Sequence, residues 1–315
     1  MLSYFPKIYE DELLYSIFAR YHKRSGNISY KQTYRDLFYN IERLEIFELP
    51  CYIQPLYEQN RLFQDLTVDE WINDHTAYRY YSRTMPKDYK ERLRKKMLKG
   101  STDRFIMNIF GFGTLKDWRS DYLRYCQECQ NEDYEQNGET YWRVAHQLPS
   151  VWFCLKHQSP LLDSKVGLKT FSISDFYAAD YISCPINQVD SKREQSKVDR
   201  LKLGITKKTL ELFSKHPTSN NSIERFEYYN DLLISCNYMP ATRLDMINPL
   251  RSTLIYRDME AFYGRELSSI ILGNESIVDS IKWIEGFSKN SSIYIHAFHD
   301  LYVALKQSLT IYKKV

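Results

Sequence analysis

Apolar residues recur at helical spacing along most of this chain. Between residues 11 and 24, one stripe holds Leu13, Leu14, Ile17, Phe18 and Tyr21, which is typical of an amphipathic helix. Asp11 and Glu12 suit the first turn of this helix, because acidic side chains favour the positive end of the helix dipole. The last turn has the matching basic residues His22, Lys23 and Arg24. Gly26 is expected to end the helix.

The same spacing continues in shorter stretches. A stripe of Tyr34, Leu37 and Phe38 predicts a second helix, and the first two helices together have the outline of a helix-turn-helix. Ser101 can cap a helix through residues 105–110, and Thr206 can cap one through Leu210 and Phe213 that stops before Pro217. Further stripes lie at 223–233, 277–284 and 298–305.

These elements predict a mainly α protein with two domains. We expect a helical, helix-turn-helix-like N-terminal domain over residues 1–164 and a helical C-terminal domain over 165–315. The 43 Lys and Arg nearly balance the 40 Asp and Glu, giving a net charge of only +3. This balance argues against binding through a polybasic tail and leaves room for one basic face. No apolar run approaches the ~20 residues that span a bilayer, so we expect a soluble, cytoplasmic protein with no membrane partner.

One segment is strongly basic. Residues 83–104 contain nine Lys or Arg and three acidic residues. Such a segment can contact phosphate groups, each contact adding salt-dependent affinity, although a solvated helix face is the commoner explanation. Within this segment, the candidate DNA contacts are Arg92, Arg94, Lys95 and Lys96.

Three of the six cysteines fall within a short interval. Cys126 and Cys129 form a CxxC motif, and Cys154 and His157 form a CxxH motif 24 residues after it. A two-residue spacing lets one tight turn direct two side chains at a single point, and two such turns supply the four ligands of tetrahedral Zn²⁺. With four protein ligands the site is closed to water, so we expect one structural zinc ion in a module at about residues 120–160.

The sequence offers alternatives to this zinc site. His146 lies between the two motifs and could replace one ligand. A redox CxxC has no need of the CxxH motif, and a zinc deaminase would have an HxE motif and a Pro before its CxxC, where this chain has Tyr125. Phosphate-binding loops and the common hydrolase motifs are absent from the sequence. The sequence therefore predicts no enzyme.

At the level of longer motifs, the chain resembles the TniQ/TnsD family. The resemblance rests on an FP…DELLYS…ARYHKRSG opening at residues 5–26, on DHTAYRYY at 74–81, on YCQEC at 125–129, and on GETYWRVAHQLP at 138–149 followed by CLKH at 154–157. Weaker similarity continues at 263–267, 283–284 and 296–301. Gln127 and Ser150 depart from the family's usual Pro and Gly, and neither change removes a metal ligand.

The resemblance implies a target-selection protein of AAA+-regulated DNA transposons. Family members mark the insertion site and recruit the transposon's AAA+ ATPase, of TnsC type, together with other transposition proteins. The family's zinc ligands correspond to Cys126, Cys129, Cys154 and His157. A bacterial, nucleoid-associated location is implied as well.

Two modes of action remain open within this family. TnsD-like members bind double-stranded target DNA directly, and shorter TniQ members link the ATPase to an RNA-guided CRISPR effector without reading DNA. For direct binding, Arg124, Arg143 and Lys156 flank the two motifs and could meet phosphates or base edges. Surface charge that serves only solubility explains them equally well.

Overall fold

A computed structural model describes residues 4–38, 47–59, 61–82, 87–100, 120–148, 151–168, 175–186 and 197–214. Helices dominate these residues: α1 Leu14–Ser25, α2 Tyr30–Phe38, α3 Ile53–Gln59, α4 Val68–Asp74, α5 Tyr78–Ser82, α6 Lys87–Lys99, α7 Gln127–Asn137, α8 Val144–Gln147 and α9 Lys197–Ser214. A 3-10 turn, Arg61–Phe63, lies between α3 and α4, and strands β1 Tyr122–Tyr125 and β2 Leu162–Gly167 form one antiparallel pair. The expected mainly α class is confirmed.

Helix α1 has the predicted buried face and the predicted end. Leu14, Ile17 and Phe18 are fully buried, and the basic residues 22–24 occupy the last turn. Gly26 ends the helix with φ 73°, a left-handed conformation in which glycine carries no Cβ penalty. Helix α2 follows and packs against α1. The helix-turn-helix-like character of this pair stays a prediction.

The start of α1 differs from the prediction, since Asp11 and Glu12 are not first-turn charges. The backbone of residues 11–13 instead pairs with residues 142–144, so the helix begins only at Leu14. Asp11 has φ 57°, and its carboxylate accepts a hydrogen bond from the Ala145 N–H at 3.2 Å. Glu12 is fully buried and forms an ion pair with buried Arg20 at 2.8 Å. The Asp11 carboxylate therefore holds the start of α8, while Glu12 neutralises Arg20 of α1.

An aromatic cluster holds α4 in place. The rings of Phe63 and Trp71 stack with centroids 3.8 Å apart, and the Trp71 indole N–H donates to the Phe63 carbonyl oxygen at 2.8 Å. Phe5 packs edge-on against Phe63. Thr67 and Glu70 form a capping box that satisfies backbone N–H groups at the start of α4. The buried rings and the cap fix this helix by independent means.

The strand pair positions the two cysteine motifs. Tyr125, the last residue of β1, pairs with Leu162, the first residue of β2. Cys126 directly follows β1, and the second motif ends shortly before β2 begins. The register of this antiparallel pair thus brings both motifs to the same end of the ribbon.

The chain divides into two compact units. Among the described residues, the first unit takes those at 4–82, 88–100 and 120–186, while α9 belongs to the second. Strand β2 runs across residues 164 and 165, and the two-domain boundary placed there stays a prediction. Leu210 and Phe213 lie in a helix as predicted, but Thr206 is not its cap: α9 begins at Lys197, and Thr206 is buried within it.

Several predicted helices lie outside the described residues. These are the helix after Ser101, the end at Pro217, and the stripes at 223–233, 277–284 and 298–305. Within the part of the chain that the structure describes, no helix combines the length and the apolar character needed to cross a membrane.

Candidate metal centre

The first cysteine motif sits where a strand turns into a helix. Cys126 has an extended backbone and directly precedes α7, and Cys129 lies in the first turn of that helix. Both thiols are therefore near the positive end of the α7 dipole, which favours thiolate over thiol. The helix continues through polar residues to Asn137, and Gly138 ends it with a left-handed backbone at φ 71°.

The second motif is held by a tight reversal of the chain. The Cys154 N–H donates to the Ser159 carbonyl oxygen at 2.8 Å, and the Leu161 N–H donates to the Trp152 carbonyl oxygen at 2.9 Å. Residues 155–157 form the turn between them. This small backbone ladder aims the side chains of Cys154 and His157 toward the first motif.

The four predicted ligands come together. One ligand atom from each of Cys126, Cys129, Cys154 and His157 lies within 4.8 Å of all the others. His157 Nδ1 is 3.4 Å from Sγ of Cys126, 3.4 Å from that of Cys129 and 3.6 Å from that of Cys154. The Sγ atoms of Cys129 and Cys154 are 3.6 Å apart.

The four distances of 3.4 to 3.6 Å fit the spacing of ligands around a tetrahedral ion. Bond lengths of about 2.3 Å to sulfur and about 2.0 Å to nitrogen place the ligand atoms of a tetrahedral zinc about 3.5 to 3.8 Å apart. The cysteines are buried and Leu161 packs against them, so the surrounding protein shields this side of the cluster from solvent. A Cys₃His set of this size can bind a metal ion.

The pKa values of the side chains in this cluster lie far from their ordinary values. Hydrogen bonds from Cys126 and Cys129 lower the pKa of Cys154, while the same kind of contact raises the pKa of Cys129. Burial alone would lower the pKa of His157, but its hydrogen bonds to Glu132 and Cys154 outweigh burial and raise the pKa to about 9. A divalent ion that took these four ligands would release their protons, so its affinity would rise with pH.

The position of His146 answers one of the alternatives for the motifs. His146 is buried in α8 and lies outside the cluster, and burial lowers its pKa to about 3. Cys126 and Cys129 are free thiols rather than a disulfide. The cluster thus uses His157, and the CxxC motif is part of a four-residue site.

Two of the three cations that flank the motifs serve internal contacts. Arg124 is only 7% exposed, and its guanidinium donates to the carbonyl oxygens of Leu148 and Val151. Arg143 donates through two nitrogens to the Asp133 carboxylate at 2.7 and 2.8 Å. Lys156 pairs with Glu132, but its side chain is 60% exposed. Of these three residues, Lys156 is the one that the structure places at the surface.

The four basic residues of α6 that are candidate DNA contacts differ in their exposure to solvent. Arg92 and Lys95 are exposed, whereas Lys96 is 8% exposed. Arg94 pairs with Asp69 of α4. Arg92 and Lys95 are the exposed candidates of α6, the Arg94 side chain is 38% exposed, and contact of any of these residues with DNA stays a prediction.

Some residues around the centre were missed by sequence reasoning. Glu132 contacts His157, Asp133 pairs with Arg143, and Gln147 hydrogen-bonds both the N–H and the carbonyl oxygen of Arg124. Glu132 could have been noticed, because it lies three residues after Cys129 and so on the same face of α7. No local sequence pattern identifies Asp133 or Gln147, since Arg143 and Arg124, their partners, lie well away from them in the chain.

The N-terminal half of the chain matches a known family. Residues 3–161, half of the chain, match the TniQ family model, and this range contains all four cluster residues. The transposon Tn7 transposition protein TnsD of Escherichia coli is 24% identical over 156 residues, which is 49% of this chain and 30% of that protein. The chain thus spans less than a third of the length of this curated relative. The extent of the family match shows that the chain belongs to the TniQ family.

Proposed function

We propose that this chain is a target-site selector for DNA transposition, which binds attachment-site DNA and recruits the transposon's AAA+ ATPase of TnsC type. In this role it is a non-catalytic adaptor that acts at the nucleoid. The observation that carries the proposal is the TniQ match over residues 3–161, supported by the similarity to the transposition protein TnsD.

One structural zinc ion is part of the proposal, with Cys126, Cys129, Cys154 and His157 as its ligands. Three thiolates and one imidazole are a donor set that zinc prefers, and four protein ligands leave no open position for an activated water. The ion would join the end of β1 and the start of α7 to the turn before β2. Its binding free energy would then be folding free energy for this part of the chain.

The proposed DNA contacts are the exposed cations. Lys156 stands beside the metal cluster, and Arg92 and Lys95 lie on α6. Phosphate contacts require side chains that solvent can reach, and each one adds to the salt dependence of binding. Buried Arg124 and paired Arg143 do not meet this requirement.

Equilibrium binding tests direct DNA recognition. The full chain is titrated with a duplex that contains the transposon's insertion site and with a shuffled duplex, at about 50 to 200 mM salt. We expect tighter binding to the insertion-site duplex, and a salt slope reduced by about 1 for each contact removed by Arg92→Ala and Lys95→Ala. Lys165→Ala, on an exposed residue of β2, is the matched control. Equal binding to both duplexes at every salt concentration would overturn the proposal.

A second candidate function is an adaptor that binds proteins only and links the ATPase to an RNA-guided CRISPR effector. The inward contacts of Arg124 and Arg143 favour it, because they leave fewer cations around the cluster for phosphate. The same titration separates the two functions when the purified ATPase is added as a second ligand. Binding to the ATPase without affinity for either duplex would support the adaptor.

A further inference from the structure

We infer that Glu132 is a positioning residue of the metal centre, which holds the His157 ring so that Nδ1 is the ligand atom. The inference rests on the proposed metal site and adds a residue that the two cysteine motifs do not include. It depends on the two ring nitrogens having different partners.

The two nitrogens of His157 face opposite ways. Nδ1 points at the three sulfur atoms, at 3.4 to 3.6 Å. Nε2 is 3.1 Å from Oε1 of Glu132. A neutral imidazole has one N–H and one lone pair, so an N–H that donates to Glu132 from Nε2 leaves the lone pair on Nδ1. The ring then presents this lone pair to the centre of the cluster.

Glu132 is itself held in place. Its other oxygen, Oε2, accepts from Lys156 Nζ at 2.5 Å. Its backbone belongs to α7, the helix that carries Cys129. The carboxylate therefore bridges a ligand of the second motif to the helix of the first, and Lys156 restrains the side chain from the solvent side.

Residues that orient a metal-bound histidine through its second nitrogen typically contribute about 10- to 100-fold to metal affinity. The Glu132 side chain is 35% exposed and that of His157 is 17% exposed. Water can therefore replace part of the contact, and we expect about a 10-fold loss for Glu132→Ala. Glu132→Gln keeps an oxygen acceptor for the Nε2 proton and should lose less.

The experiment uses zinc itself as the probe. The full chain and its variants compete with a chromophoric chelator for Zn²⁺, and long-range ¹H–¹⁵N correlation spectra report which His157 nitrogen carries the proton. Glu135→Ala is the matched control, because Glu135 is an exposed carboxylate on the same helix. Lys156→Ala tests whether the lysine contributes through Glu132.

For the zinc-bound wild-type chain and for Glu135→Ala we expect the Nε2–H tautomer and nearly equal zinc affinities, while Lys156→Ala should lower the affinity by less than Glu132→Ala does. Glu132→Ala should lower the affinity about 10-fold and weaken the Nε2–H signal, with partial recovery in Glu132→Gln. Equal affinity and an unchanged spectrum for Glu132→Ala would overturn the positioning role. A wild-type chain that binds no zinc would instead refute the proposed metal site, so the two failures are distinguishable.

Discussion

Substitution of Arg143 tests whether this residue makes an internal contact or a DNA contact. The sequence made it a candidate for DNA binding, whereas in the structure it forms an internal ion pair with Asp133. Its guanidinium makes two hydrogen bonds to Asp133 and lies 4.3 Å from the centre of the Tyr141 ring. The side chains of Arg143 and Asp133 are only 17% and 7% exposed. The substitution Arg143→Ala removes the cation and leaves the Asp133 carboxylate buried without it.

The magnitude follows from that burial. Removing one partner of a buried pair costs about 3 to 5 kcal/mol, and a cation over an aromatic ring adds about 0.5 to 1 kcal/mol. Because Arg143 retains some exposure, we expect Arg143→Ala to lower the free energy of unfolding by about 3 kcal/mol. Arg143→Lys keeps the charge and loses the paired geometry, so its effect should be smaller.

Urea unfolding followed by circular dichroism measures this loss, and duplex binding by the folded protein is measured beside it. Arg24→Ala is the control, since that arginine is 48% exposed in its pair with Glu139 and should cost less than about 1 kcal/mol. The double variant Arg143→Ala/Asp133→Ala should lose less than the sum of its single variants. If Arg143→Ala unfolded like the wild type but bound DNA 10-fold more weakly, the internal role would be refuted.

Further predictions concern the core and the pH dependence of stability. Trp71→Ala should cost about 3 to 5 kcal/mol, because it empties a fully buried site against Phe63; thermal unfolding measures this, and a loss below 1 kcal/mol would contradict the packing. Burial raises the pKa of Asp11 to about 7, above its value in the unfolded chain. The native state then binds the proton more tightly, so the stability due to Asp11 is complete below about pH 4 and is lost as the pH rises through 7. Asp11→Asn tolerates the left-handed backbone and should remove this dependence; an unchanged stability difference from wild type across that pH range would refute it.

Local sequence patterns correctly predicted the structural features that are determined by residues close together in the chain. The buried stripe of α1, its end at Gly26 and the helix through Tyr34 are set by spacing within one turn or two. The metal cluster was predictable for the same reason, since each pair of ligands lies within a single turn. Joining the two pairs required only that β1 and β2 meet, which their register provides.

Most errors arose where distant parts of the chain compete with local preference. Asp11 and Glu12 look like helix-start charges, yet pairing of their backbone with residues 142–144 delays the helix, half-buries Asp11 and fully buries Glu12. Thr206 looks like a cap, but α9 continues through it. The charge of Arg124 and Arg143 is visible in the sequence, whereas their carbonyl and carboxylate partners are found only in the fold.

We propose that two turns of this TniQ chain hold one zinc ion. Zinc X-ray absorption on the purified full chain, with metal content measured on the same sample, tests it most directly. The account predicts one zinc per chain, with three sulfur neighbours at about 2.3 Å and one nitrogen at about 2.0 Å. A chain that contains less than stoichiometric zinc and carries a disulfide between Cys126 and Cys129 would contradict it.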